Sequence, residues 1–495
     1  MRRVAHFKRG ESKKAARPKV NSAVDQPKRP YARTPKPPHP NPAVIFSRCL
    51  LPSPTRPLPH APVPENVAAS RRAVASWALF DFANSAFNTL VVTFVYSTYF
   101  TQEIAAGETT GTALWGNAVT VSAILVALLS PFLGTLADRS GRRKAFLGGA
   151  TALTVLATAA LFFPQSGQIW VALALFVTAN TAFELAFVFY NAFLPDLASE
   201  ERIGRISGYG WALGYAGGLG ALGLGYAFLI APEDPLFFST DGGANVRATC
   251  LLVAAWFALF SAPLFLFAPE DASARRDDIA FSTVFRNSFG ELAQTFRAVR
   301  RYRQVVRLLA ARLFYNDGLL TIFSFGAIYA SGTFDFSFDE IFLFGIALNV
   351  TAGLGAFAFG FVDDRLGGKR TVLISVAGLA GATLLALAAP SKAWLWAAGV
   401  LLGLFVGPNQ SASRSLLGRF TPPDKKGEFF GFFAFSGKAT AFVGPALFGW
   451  MTTLFETQRA GIASVLAFFA VGAALLAGVD EAEGLRTAKQ ERAEA

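Results

Sequence analysis

From Arg71 onward the chain alternates long apolar runs with short polar loops. Twelve of the runs, near 75–101, 113–136, 145–163, 168–193, 206–230, 247–268, 305–330, 339–362, 371–389, 393–416, 429–454 and 459–479, are long enough to cross a bilayer. A hydrocarbon core of about 30 Å takes roughly 20 helical residues. Backbone groups inside lipid must be satisfied within their own segment, so each run is predicted to be a helix. Loops 138–144, 196–205, 269–304, 363–370 and 417–428 hold nineteen Lys and Arg, whereas the alternate loops hold three. An error of one helix would scramble that alternation. The bias places the basic loops and both termini in the cytoplasm.

The pattern also repeats. "GTLADRSGRRK" (134–144) returns as "GFVDDRLGGKR" (360–370), an offset of 226, and "GRISGYGWALG" (204–214) returns as "GEFFGFFAFSG" (427–437), an offset of 223. Two such matches predict an all-α membrane protein of twelve transmembrane helices in two six-helix pseudo-repeats, the parallel-half plan of secondary transporters. The expected organisation is a disordered Pro-rich, basic tail (1–70), an N-terminal half (71–270), a cytoplasmic linker (271–304), a C-terminal half (305–480) and a cytoplasmic tail (481–495). In the linker, Phe285, Phe289, Leu292, Phe296 and Val299 recur at helical spacing opposite Arg286, Arg297, Arg300 and Arg301, the pattern of an amphipathic helix on the membrane surface.

Composition narrows the class. Hydrophobic residues make up 53% of the chain and charged residues only 16%, with mean hydropathy +0.41. A net charge of +12 could signal nucleic acid, but much of the excess lies in the first 72 residues and the short loops, where membrane topology accounts for it. Residues 1–70 hold three acidic side chains; a transit peptide, an over-extended gene start and a true disordered tail fit equally well. Cys49 and Cys250 have no partner in sequence, and His6, His39 and His60 all lie in the tail. No disulfide framework, metal site, cofactor or enzymatic triad is therefore expected. "GLGALG" (218–223) satisfies the dinucleotide fingerprint inside an apolar helix with no strand before it, so its glycines serve helix packing, as do Gly210, Gly214 and Gly218.

"GTLADRSGRRKAFL" resembles the loop motif after the second helix of the major facilitator superfamily, with Gly134, Asp138, Arg139, Gly141, Arg142 and Arg143 in place and a second copy at Asp364 and Arg365. A tight turn needs Gly141, Asp138 can cap a helix or pair across the bundle, and the arginines hold the loop in the cytosol. By that resemblance the fold is the major facilitator fold, and Asp138 and Arg139 latch the two halves in one state of the cycle. "SWALFDFANSAF", "FELAFVFYNAFLPDLA", "GRISGYGWALGYAGG" and "FYNDGLLTI" together resemble the vacuolar-effluxer-like family within that superfamily, over about residues 71 to 480. The family takes its name from a fungal autophagy protein that exports amino acids, and the resemblance implies a carrier. "GGLGALGLG" lacks the proline of the antiporter motif, so exchange is not supported.

Four charges stand inside the apolar runs. Counted from the nearest charged end at 1.5 Å per residue, Asp81, Glu184, Asp317 and Lys438 lie roughly 14 to 18 Å deep. Each costs about 2.5–3.5 kcal/mol at mid-membrane, on the order of 10 kcal/mol together, so a shared polar cavity is expected. Asp81, Asn84, Ser85 and Asn88 share one helical face. Asp81, Asn84, Asn88, Asn316, Asn409 and Gln410 are the candidate solute and ion contacts; Glu184 and Asp317 would handle coupling charge, and Lys438 an anionic group. The alternative is an ion pair, such as Asp317 or Glu184 with Lys438, that locks the bundle; Arg312 or Arg414 could also reach inward and neutralise an acid. Three carboxylates against one lysine favour a protonated acid, with Glu184 or Asp81 as carrier; sodium coupling and uniport stay open. The expectation is a monomeric, alternating-access carrier of a small polar solute in the bacterial inner membrane, with the bilayer as its surroundings and no nucleic-acid partner. An amino acid is the leading solute. The rivals are a cation-coupled sugar symporter and a lipid scramblase.

Overall fold

The computed structural model describes residues 70–494 apart from 106, 233–237, 270–289 and 291–300. The predicted tail and nearly all of the predicted amphipathic linker helix lie outside the described residues. Twelve helical segments occupy the expected places. They are α1 (Arg71–Ile104), α2 (Glu108–Ser140), α3 (Arg143–Ala160), α4 (Ile169–Asn191), α5 (Ile203–Ile230), α6 (Ala244–Phe267), α7 (Arg303–Phe334), α8 (Phe338–Leu366), α9 (Gly368–Ala388), α10 (Lys392–Phe420), α11 (Lys426–Lys438 and Val443–Phe455) and α12 (Gln458–Ala477). Among the described residues, eight helices are long and apolar enough, by length and composition, to cross a membrane; α3, α7, α10 and α11 fall outside that set. The reasons are local. Asn316 and Asp317 dilute α7, Pro408, Asn409 and Gln410 dilute α10, and α11 breaks at 439–442.

Helix ends follow their sequence signals. Ser70 caps α1 by accepting the Ala73 N–H, and Ser337 with Glu340 forms a reciprocal capping box on α8. The loop motif ends α2 at Gly141 with φ of 61°, and its second copy ends α8 at Gly367 with φ of 87°. An L side chain is strained at both, so each copy places glycine at the same register, in a left-handed helical turn at Gly141 (ψ 20°) and an extended one at Gly367 (ψ 159°). In α1, Phe87–Phe94 and Phe100–Ile104 are π-helical, a geometry that adds residues to each turn.

Each half has its own apolar core, one centred on Trp77, Phe80, Phe176 and Phe257, the other on Tyr315, Val376, Leu416 and Phe469. The stripe Gly210, Gly214 and Gly218 lets α5 lie against α1, because an added Cβ would run into Asp81, Ser85 and Thr89 respectively. The halves meet along α2 with α11 and α5 with α8. A Cβ on Gly134 would strike the Gly427 carbonyl, and one on Gly208 would approach the Ala356 carbonyl at 2.5 Å. These close crossings lie towards the end of the bundle that carries the Lys- and Arg-rich loops, called here the basic end.

The last segment, expected as a cytoplasmic tail, is structured: Glu481–Glu494 forms a helix, α13, packed at the basic end. Glu481 accepts the N–H groups of Gly368 and Lys369 at the start of α9, Glu483 accepts from Gln304, and Glu491 pairs with Arg301 and accepts from the Tyr302 hydroxyl. Lys489 and Arg492 reach Glu200 in the N-terminal half.

Candidate functional site

Asp81 projects from α1 into the bundle and is 3% exposed. Its partner is Arg414 of α10, 333 residues away, with Nη1 2.9 Å from Oδ2. The same guanidinium donates to Asn191 Oδ1 (3.1 Å), Ser207 Oγ (2.9 Å) and the Ser207 carbonyl (2.7 Å). Trp77, Tyr190 and Trp211 surround it with ring centroids 4.8–5.8 Å away. A Cβ at Gly210 would collide with both partners, so the pair can close only over glycine. This dry, four-contact arginine ties α1, α4 and α5 of one half to α10 of the other, and it answers one of the three acids that sequence counted against a single lysine.

Glu184 of α4 meets Lys438 of α11 at 2.7 Å, again across the halves. Its setting differs. The two side chains are 20% and 26% exposed, against 4% and 1% for Asp81 and Arg414. An ion pair that keeps this much exposure remains open to exchange with another charged group, whereas the Asp81–Arg414 pair is sealed.

Asp317 of α7 lies at the break in α11. Its Oδ2 accepts the Gly444 N–H (3.1 Å) at the start of the second α11 piece, and its backbone carbonyl accepts from Thr321 Oγ1. The neighbouring Asn316 donates to the Gly437 carbonyl just before the break (3.3 Å). Arg312, one turn earlier, is committed elsewhere: Nη1 donates to the Phe433 carbonyl (2.7 Å) and Ser436 Oγ (3.0 Å), with the guanidinium 3.6 Å from the Phe433 ring centroid.

The predicted polar set therefore divides among separate partners. Asn84 is buried beside Asp81, 3.5 Å from Oδ1. Asn88, four residues beyond Asn84, is exposed, at the second residue of the π-helical stretch. Asn409 packs within its own half, donating to Ser375 Oγ on α9, and Gln410 is half-buried. Asn191, Ser207, Trp77, Tyr190 and Trp211 were not foreseen. The only advance signal for them was that Arg414 lay within an apolar run.

At the basic end the sequence repeat becomes a reciprocal lock. Asp138 accepts the N–H groups of Gly427 and Glu428 at the start of α11, both at 2.9 Å. Asp364 accepts the N–H groups of Gly204 (2.9 Å) and Arg205 (3.3 Å) at the start of α5, and also pairs with the Arg205 side chain. Each half thus caps the fifth helix of the other, where the helix dipole favours a carboxylate. Of the motif arginines, Arg139, Arg142 and Arg365 are exposed. Arg143 is not a solvated anchor as expected. It is 7% exposed, 3.4 Å from Asp138 and 3.1 Å from Asp196, which itself pairs with Lys426 of the other half. Burial lowers the Lys426 ammonium pKa, and the neighbouring Asp196 opposes that shift. Asp363 beside the second copy pairs with Arg419 at 2.7 Å.

Two helical halves joined across paired charges, with mirrored loop motifs at one end, define a transporter of the major facilitator fold. Solved structures agree: the proton:xylose symporter XylE (TM-score 0.63, 14% identity, covering 85% of this chain and 98% of that one) and the human organic anion transporter MFSD10 (TM-score 0.64, 16% identity, 82% and 99%). At such identity the likeness concerns fold alone. The chain belongs to the vacuole effluxer Atg22-like family, whose model matches residues 104–489. An uncharacterised MFS-type transporter of Bacillus subtilis, YxiO, is 28% identical over 421 residues, covering 84% of this chain and 96% of that protein. Autophagy-related protein 22 of Cryptococcus neoformans is 27% identical over 302 residues, 57% of this chain and 54% of the relative, so the chain matches about half the length of that fungal protein.

Proposed function

We propose that this transporter carries a small zwitterionic solute, an amino acid, by alternating access, with its basic end in the cytosol. The observation that supports this most is the Glu184–Lys438 pair. It lies at mid-depth, joins the two halves and keeps a fifth or more of each side chain exposed. A carboxylate and an ammonium at 2.7 Å are each other's stand-ins for the two ends of an amino acid: the solute carboxylate would take Lys438, and its ammonium Glu184. Sugars present neither charge.

The conformation described is closed at the basic end by the Asp138 and Asp364 caps, the Arg143–Asp196–Lys426 chain and the sealed Asp81–Arg414 pair. Solute arriving from the opposite side would loosen Glu184 from Lys438. Release to the cytosol would require the caps and the Asp81–Arg414 contact to part as the halves rock. Reconstituted protein should take up labelled amino acids in preference to labelled xylose or fucose, and Lys438→Ala should abolish that preference. Equal uptake of sugars, or lipid-reporter flipping without solute transport, would overturn the reading.

A further inference from the structure

The three interior acids are not equivalent. Asp81 has Arg414 and Glu184 has Lys438, but no cationic side chain contacts Asp317 among the described residues. Asp317 is 1% exposed; Oδ2 has the Gly444 N–H, and Oδ1 has no hydrogen-bond partner. The groups around it are committed or apolar. On α7, Arg312 faces Phe433 and Ser436; on α11, Lys438 holds Glu184; on α10, Arg414 holds Asp81; and α12 presents Phe468 and Phe469 beside Gly318. A buried carboxylate with one neutral donor and no counter-charge is strongly disfavoured as an anion, and adding one proton removes the penalty.

We infer that Asp317 is the proton-binding site that couples this carrier to a pH gradient, an inference that rests on the carrier reading above. A proton passes from hydronium to Oδ1: one O–H bond of hydronium breaks, leaving water, and one O–H bond forms on the carboxyl. A sodium ion would need several oxygen ligands at once, whereas the carboxylate's hydrogen-bond partner among the described residues is a backbone N–H, and the nearby Thr321 hydroxyl is spent on the Asp317 carbonyl. The position supplies the linkage. Ionised Asp317 caps the second piece of α11 with charge assistance, and the protonated form caps it more weakly. Only residues 439–442 separate that piece from Lys438, and Asn316 holds the other side of the break. Proton binding therefore loosens the joint beside the Glu184–Lys438 pair, so solute and proton bind interdependently.

The test uses full-length protein in proteoliposomes with a mixture of labelled L-amino acids, alongside infrared pH-difference spectra of the purified protein. In the wild type, one unit of pH gradient should sustain up to about tenfold accumulation, the thermodynamic limit for one proton per solute. Asp317→Asn should keep exchange at equal pH, lose gradient-driven accumulation and lose a protonated-carboxyl stretch that the wild type shows. Asp317→Glu should retain both. Accumulation or an unchanged carboxyl band in Asp317→Asn overturns the assignment, as does accumulation driven by sodium at fixed pH and abolished by that variant. If the wild type neither exchanges nor accumulates any amino acid, the solute reading fails, and the infrared spectra still decide where the proton sits.

Discussion

Replacing Arg414 by methionine tests whether a single buried contact holds the two halves together. Methionine keeps much of the volume among Trp77, Tyr190 and Trp211 but removes four hydrogen bonds. Asp81, 3% exposed, would be left with two neutral neighbours, Asn84 at a long 3.5 Å and the Tyr190 hydroxyl, and no cation. Leaving one member of a buried ion pair uncompensated costs about 3–5 kcal/mol. For a bundle of this size that corresponds to a fall of roughly 3–6 °C in melting temperature. Arg414→Met combined with Asp81→Asn removes the stranded charge as well, and should recover more than half of the loss. The assay is thermal unfolding of detergent-purified protein followed by size-exclusion chromatography. A single variant that melts with the wild type, or a double variant no better than the single, would show that Asp81 is not held as an ion by Arg414.

Other perturbations address the basic end. Gly134→Leu should keep α2 from closing on Gly427, raising the labelling rate of Ser130→Cys, whose native hydroxyl is buried and donates to the Gly431 carbonyl across the crossing; unchanged labelling would refute the close crossing. Asp138→Asn and Asp364→Asn should each weaken one cap by about 1 kcal/mol, with matching losses in melting temperature because the two sites repeat each other. Unequal losses would break that symmetry. The Asp480 carboxyl at the start of α13 is held below its usual range by the Glu483 N–H first and the Ala482 N–H next. Its contribution is complete above the ordinary carboxylate range and is lost as pH falls through the lowered value, so α13 should be clipped faster in Asp480→Asn than in the wild type near neutral pH, with the two rates converging in acid.

Much of the architecture was readable from patterning, because lipid imposes one rule on every span. The repeat was equally plain, and both copies resolve into a glycine turn and a carboxylate cap, at Gly141 with Asp138 and at Gly367 with Asp364. The interior charges were visible as residues but not as partners. Asp81 and Arg414 are 333 positions apart and Glu184 and Lys438 are 254 apart, and no local spacing links such pairs. The docked α13 was hidden because "EAEGLRTAKQERAE" is polar along its length. Its apolar footing is small: Leu485 packs against the C-terminal core, Gly484 lies where a Cβ would press on Phe420, and Ala488 is 1% exposed.

If a zwitterion binds between the halves at Glu184 and Lys438, ligand-dependent thermal stability will report it. L-amino acids should raise the melting temperature of the wild type and of Asp138→Asn, which alters only the basic end, and should have no effect on Lys438→Ala or Glu184→Gln. Stabilisation that persists in both pair variants, or that sugars produce and amino acids do not, would contradict the account.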